Sequence, residues 1–278
     1  MRSILNLLFL SFLLVGCGGG GSDDSDAPSG DGTQLSGGCA VGRITNGASC
    51  TLANGPVALI YVLNSNSDPI AVCTGTFLTS RKLLTAAHCF VDSGGKSAQV
   101  ITGSTNSRAT KISVHPQYRP TDSISQFDVA VVELPQAANV TTLPIFASEG
   151  ASRGQRFTII GFGNDENGDS AANVPPNESL NAASMIIEDT RSGAFLASYD
   201  RTGSSICSGD SGGPALRKNR DGLTGILGVA QAVLIDPDEV RPDGTPICKE
   251  GTVAIFTNTQ SGSALDFILS LVPEAGVI

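Results

Sequence analysis

The chain has 278 residues, 40% hydrophobic and 15% charged, with 33 Gly, 14 Pro and only 5% aromatic side chains. That supports one large core or two small ones, and few charges with many glycines and β-branched residues favour strands over helices. A net charge of −9 disfavours a nucleic-acid partner, and two histidines without a His-x-x-x-His spacing disfavour catalytic zinc.

Residues 1–17 read as an address. Arg2 gives a short basic start, and Ile4 to Val15 is a mostly apolar run. It is too short to span a hydrocarbon core of about 30 Å but suits the centre of a signal peptide. The run ends in Leu14-Val15-Gly16-Cys17, which resembles the lipobox of bacterial lipoproteins. The resemblance implies a lipid on Cys17, and Gly18 rather than Asp behind it implies sorting to an outer membrane. A lipid-anchored protein of the bacterial cell envelope is therefore expected. Setting Cys17 aside leaves six of the seven cysteines, an even number suited to an oxidising compartment. Residues 18–38 are rich in Gly and Ser and carry Asp23, Asp24, Asp26 and Asp31 with no basic residue, which predicts a flexible tether. The globular domain is predicted over 39–278.

Within it, Pro56 to Leu63 and Ile70 to Leu78 read as strands. In Leu83-Leu84-Thr85-Ala86-Ala87-His88-Cys89, the two alanines leave room beside the His88 ring. Cys73 lies 16 residues before Cys89, and a disulfide between them would hold that turn as rigidly as a catalytic base requires. His115, followed by Pro116, reads as a structural residue at a strand end. Asp122 stands in a Pro/Thr/Ser loop and reads as solvated. Asp128, by contrast, lies in Gln126-Phe127-Asp128-Val129-Ala130-Val131-Val132. A carboxylate in an apolar strand needs a partner, and a histidine N–H is a natural one. Further on, Cys207-Ser208-Gly209-Asp210-Ser211-Gly212-Gly213-Pro214 flanks a serine with glycines. Such a turn can expose the hydroxyl and aim backbone N–H groups at one point, as a nucleophile with an oxyanion hole requires. Gly209-x-Ser211-x-Gly213 also fits the nucleophile elbow of α/β-hydrolases, but there the histidine follows the serine. Both histidines here precede Ser211, so the elbow lacks its base. Ser263 to Leu271 is apolar at helical spacing and predicts a closing helix.

Thr-Ala-Ala-His88-Cys, Asp128-Val-Ala-Val-Val and Gly-Asp-Ser211-Gly-Gly-Pro, in that order, resemble the trypsin/chymotrypsin family of serine proteases. The likeness extends from Arg43 to about Leu271, through Ile44-Thr45-Asn46-Gly47, His115-Pro116-Gln117-Tyr118, Leu143-Pro144 and Gly161-Phe162-Gly163. It implies an all-β fold of two six-stranded antiparallel barrels, about 44–135 and 150–278, with residues 136–150 crossing between them and a short C-terminal helix. It also implies that Ser211 attacks the scissile carbonyl, His88 shuttles the proton and Asp128 orients His88. The N–H groups of Gly209 and Ser211 would form the oxyanion hole, and a Cys207–Cys248 bridge would brace the specificity pocket. Cys39 and Cys50 remain, and local pairing across the cleavage site is expected. Arg43-Ile44 resembles a zymogen cleavage site, whose freed Ile44 ammonium would pair with Asp210. The expected partners are protein or peptide substrates, met by a monomer with no cofactor, and the segment after His88 is too short for a calcium loop, so no metal is expected.

Three departures accompany the likeness. Gln231 stands where the family usually has a serine bonded to the triad aspartate, Ala232 replaces an aromatic residue, and the disulfide that often braces the loop before the nucleophile is missing. Ser205 falls at the base of the primary pocket, where a carboxylate would be needed to pair a substrate Lys or Arg. Val233 and Gly251 are expected as its walls, Val233 filling its depth, which favours small aliphatic residues before the cut. Gln231 to Val233 would pair with extended substrate backbone. The second function class is a non-enzymatic binding or adhesion lipoprotein on the same scaffold. The presence of all three triad residue types favours the enzyme.

Overall fold

The computed structural model of the chain describes residues 48–50, 55–121, 124–163, 180–234, 248–249 and 251–278. The signal peptide with Cys17, the tether, Cys39, Arg43, Ile44 and Asp122 lie outside these residues, and Cys50 is described in its backbone alone.

The first sheet is built from β-branched and apolar segments. After β1 (Ala48–Cys50) come β2 (Val57–Leu63), β3 (Pro69–Thr79), β4 (Lys82–Thr85), the single helical turn α1 (His88–Val91), β5 (Ser97–Thr102), β6 (Thr105–Arg108), β7 (Lys111–Val114) and β8 (Ala130–Glu133). Residues of β5 alternate between half-buried and buried, the period of a strand with one face inward. In β2 only Tyr61 escapes full burial, as suits a strand covered on both faces. The antiparallel order is β6-β5-β2-β3-β4-β8-β7. β6 and β7 are separated only by Ala109 and Thr110, whose N–H groups donate to the carbonyls of Ala98 and Glu133. The stretch from Thr105 to Val114 therefore pairs with β5 at its start and β8 at its end, and it closes seven short segments into a barrel of six continuous strands.

A second barrel closes in the same way. Its strands are β9 (Arg156–Gly161), β10 (Leu180–Ile186), β11 (Asp189–Arg191), β12 (Ala194–Ser198), β13 (Pro214–Lys218), β14 (Thr224–Leu234) and β15 (Val253–Asn258). β10 pairs with β9, while β11, two residues further on, pairs with β12. Again six continuous strands result, around a core in which Phe157 meets Phe195 and Phe256 edge-on and the latter two stack. Ala48–Cys50, grouped by the sequence with the first barrel, instead joins this one. It pairs antiparallel with the outer edge of β10, which closure through β11 leaves free.

Between the barrels, Ile145 makes parallel bridges to Ile226 and Val277. The predicted closing helix is α2 (Gly262–Leu271). Its Ala264 and Ile268 are buried with the core of the first barrel, and Lys82 Nζ donates to the Leu271 carbonyl across 2.7 Å. No helix among the described residues is long and apolar enough to cross a membrane.

Candidate active site

His88 opens α1 directly after β4, and Ala87 before it supplies no side-chain cap. Asp128 supplies one. Its fully buried carboxylate accepts the His88 backbone N–H at Oδ1 over 2.8 Å and meets Nδ1 at Oδ2 over 2.7 Å. An ionised carboxylate only accepts, so Nδ1 carries the proton and Nε2 is left with its lone pair. Burial lowers the pKa of the imidazole, but Asp128, by charge and hydrogen bond, and the charge of Asp92 together raise it above its ordinary value. Phe127, just before Asp128, adopts a φ of 54°, which costs a non-glycine residue on the order of 1–3 kcal/mol. Its ring is held by stacking on His115 at 4.8 Å. His115 itself is buried, with Nε2 3.1 Å from the Ser263 carbonyl and Nδ1 accepting the Gln117 N–H. These contacts suit the structural role read from the sequence.

Ser211 lies on the turn leading into β13. Gly209 has φ 99° and Gly212 φ 84°, both in the region that suits glycine. At Gly212 a Cβ would stand 2.0 Å from Thr85 Oγ1 and 2.3 Å from the Thr74 carbonyl oxygen. The turn is thus packed against β3 and β4 of the first barrel, and only glycine allows that approach. The Cys73–Cys89 bridge is present beside it. Cys89 Sγ lies 4.0 Å from His88 Nε2 and 3.9 Å from the Ser211 carbonyl oxygen. His88 and the serine turn therefore flank the same sulfur. No hydrogen bond joins Ser211 Oγ to Nε2 among the described residues; such bonds are often long without substrate and tighten when it binds. Neither the Gly209 nor the Ser211 N–H has an acceptor among those residues. Cys73, His88 and Cys89 cluster within 4.8 Å, but the bonded sulfurs offer no thiolate to an ion.

The profile of the trypsin family, described as Trypsin, matches residues 44–233, which is more than half of the chain. The chain belongs to the trypsin family. A trypsin of Saccharopolyspora erythraea is 30% identical over 195 residues, covering 64% of this chain and 83% of its own length. Trypsin eta of Drosophila erecta is 29% identical over 208 residues, covering 67% and 79%. Among solved structures, HL collagenase superposes with a TM-score of 0.62 at 20% identity, covering 83% of this chain and 99% of that one, which shows the shared fold. As a trypsin-family chain this is a serine protease scaffold with two disulfides, Cys73–Cys89 and Cys207–Cys248, among its described residues.

Ser205, Val233 and Gly251, expected at the primary pocket, all lie among the described residues. Ser205 is fully buried, and its hydroxyl has no hydrogen-bond partner among the described residues. Val233 lies on β14, with Ala254 as its cross-strand neighbour. Gly251 occupies an exposed turn with φ 86°, its N–H donating to Asp200 Oδ1. A bulge between Ala230 and Ala232 sets this register, and a bulge leaves no mark in residue spacing. Gln231 does not reach Asp128. Its amide accepts the Ser125 N–H over 2.9 Å and donates to the Ser125 carbonyl over 3.0 Å and to Thr257 Oγ1 over 2.8 Å. The glutamine therefore steadies the segment before Asp128 through its backbone, where the family's serine bonds the carboxylate. Asp210 is buried against Gly161 and Gly163, accepting the N–H of Gly163 at 2.7 Å and of Cys207 at 2.8 Å. Burial raises its pKa from 3.8 to about 7, against those two bonds, which lower it.

The residue that the sequence reading missed is Thr74, in β3 just after Cys73. Fully buried, it spends every polar group on the site. Its N–H donates to the Ser211 carbonyl over 2.8 Å and its hydroxyl to the Gly209 carbonyl over 2.8 Å. The hydroxyl also accepts the Phe162 N–H, and the Thr74 carbonyl accepts Thr85 Oγ1. A threonine in a strand carries no signal of such a role.

Proposed function

We propose that the chain is a serine endopeptidase in which Ser211 is the nucleophile, His88 the general base and Asp128 its orienting acid. The observation that carries this is the Asp128–His88 pair: it fixes the tautomer with Nε2 free, beside the Cys89 sulfur that the Ser211 carbonyl also approaches. Nε2 takes the Ser211 proton as Oγ attacks the carbonyl carbon. The N–H groups of Gly209 and Ser211 receive the developing oxyanion, a contribution of roughly 10²–10³ in rate per donor. His88 then returns the proton to the leaving amine, and water repeats the cycle on the acyl-enzyme.

The sequence supports the finer parts of this reading. Cleavage after Arg43 frees the Ile44 ammonium, and a buried carboxylate at Asp210 favours such a counter-ion. A lipid on Cys17 and the acidic tether hold the domain off the bacterial outer membrane. For the residue before the cut, a pocket with uncharged Ser205 at its base has no ion partner for Lys or Arg. Val233 opposite Ala254 narrows it further than a glycine pair would. Small aliphatic side chains, Ala or Val, are the preferred class. A peptide library incubated with protein cut at Ile44 tests this. Cleavage after Ala and Val that disappears in Ser211→Ala is expected, and dominant cleavage after Arg, Lys or Phe would refute the assigned pocket.

A further inference from the structure

We propose that Thr74 is a positioning residue for oxyanion stabilisation, acting from the first barrel on the nucleophile turn of the second; the inference rests on the serine-peptidase reading of Ser211. The two carbonyls it holds belong to Gly209 and Ser211, the two residues whose N–H groups receive the oxyanion. Gly209 has no side chain to restrict it and stands at φ 99°, so its peptide planes turn more freely than those of any other residue type. The Thr74 hydroxyl supplies the missing restraint. Donating to the Gly209 carbonyl, it fixes the rotation of the Gly209–Asp210 peptide, which anchors one side of Gly209 and narrows the directions open to the N–H on the other.

The hydroxyl is itself aimed. Its lone pair accepts the Phe162 N–H over 3.1 Å, which leaves its single hydrogen for Gly209. Phe162 lies between Gly161 and Gly163, against which Asp210 is packed. One hydroxyl thus ties β3, the Gly161–Gly163 segment and the oxyanion peptides into one unit. Thr74 also fills the space beside the following glycines. A Cβ at Gly212 would meet its carbonyl oxygen at 2.3 Å, and one at Gly213 its Cγ2 at 3.2 Å. Donors aimed in advance at a developing charge stabilise it without reorganisation, and a small misplacement costs up to roughly 10² in rate.

Thr74→Val keeps the shape and the backbone bonds and removes only the hydroxyl. Processed wild type, Thr74→Val and Thr74→Ser are compared for kcat, KM and inhibition by a peptide aldehyde, whose addition oxygen occupies the oxyanion position. We expect kcat of Thr74→Val to fall about 10- to 100-fold per folded molecule with KM within about twofold. Aldehyde affinity should fall in parallel, and Thr74→Ser should restore both. A purely structural role would lower the melting temperature and leave kcat per folded molecule unchanged. Should Thr74→Val not fold, Thr74→Cys, whose thiol is a weak donor in the same place, is expected to give an intermediate kcat. Full kcat in Thr74→Val, or in Thr74→Cys where that variant carries the test, overturns the inference while the active wild type upholds the peptidase reading. An inactive, correctly processed wild type overturns both.

Discussion

His88 stands between opposing influences: burial favours its neutral form, while the Asp128 and Asp92 carboxylates favour the imidazolium and prevail. A base must be neutral to accept the serine proton, so kcat/KM should fall as pH drops through this raised value. Asp92→Asn removes one upward influence and leaves Asp128 in place, so the acid limb of the profile should move to lower pH. An unmoved limb would show that Asp92 does not act on the ring. Asp210 gives a second dependence, this time in stability. With its pKa raised from 3.8 to about 7, the uncut folded chain holds a proton there that the unfolded chain has lost. Its contribution to stability is therefore present below about pH 4 and declines as pH rises towards 7. Denaturation of an uncut Ser211→Ala chain across that range should show the decline. Adding Asp210→Asn costs an acceptor at every pH but should flatten the slope; an unchanged slope would assign it to other groups.

At the scale of elements, the Ser211 turn packs closely on the strands β3 and β4 of the other barrel. Gly212→Ala forces a Cβ against Thr85 Oγ1 and the Thr74 backbone at a positive φ. We expect a loss of at least about 2 kcal/mol of stability and of nearly all hydrolysis, measured by chemical denaturation and peptide turnover. A stable, active Gly212→Ala would mean that the turn does not rest on β3. Much of this was legible beforehand. Apolar runs announced β2 and β3, helical spacing announced α2, the cysteine spacing announced one bridge, and an Asp at the head of an apolar run, which the structure places just before β8 rather than within it, announced a histidine partner. The parts that stayed hidden depend on register and backbone rotation, which residue types do not encode one by one. The bulge in β14 sets Val233 opposite Ala254. The free edge of β10 drew β1 away from the first barrel. The left-handed Phe127 and the four hydrogen bonds of Thr74 emerge only once the barrels are placed together.

For the whole molecule, each barrel brings part of an incomplete machine. On the proposed assignment the first supplies His88, Asp128 and the Thr74 brace, and the second supplies Ser211, the oxyanion peptides and the pocket lined by Val233. On that assignment neither barrel alone holds a base, a nucleophile and an oxyanion site together, so the proposed chemistry needs both. The acidic tether and Cys17 would set where this unit works, and the Arg43-Ile44 bond would set when. The proposed covalent reactivity of Ser211 underlies all of it. Processed protein beginning at Ile44 should be treated with a fluorophosphonate and its peptides analysed by mass spectrometry. The phosphonyl adduct is expected on Ser211, absent from Ser211→Ala and strongly suppressed in His88→Ala. A correctly folded, processed wild type that stays unlabelled would contradict the catalytic assignment and leave a binding protein on a trypsin-family scaffold.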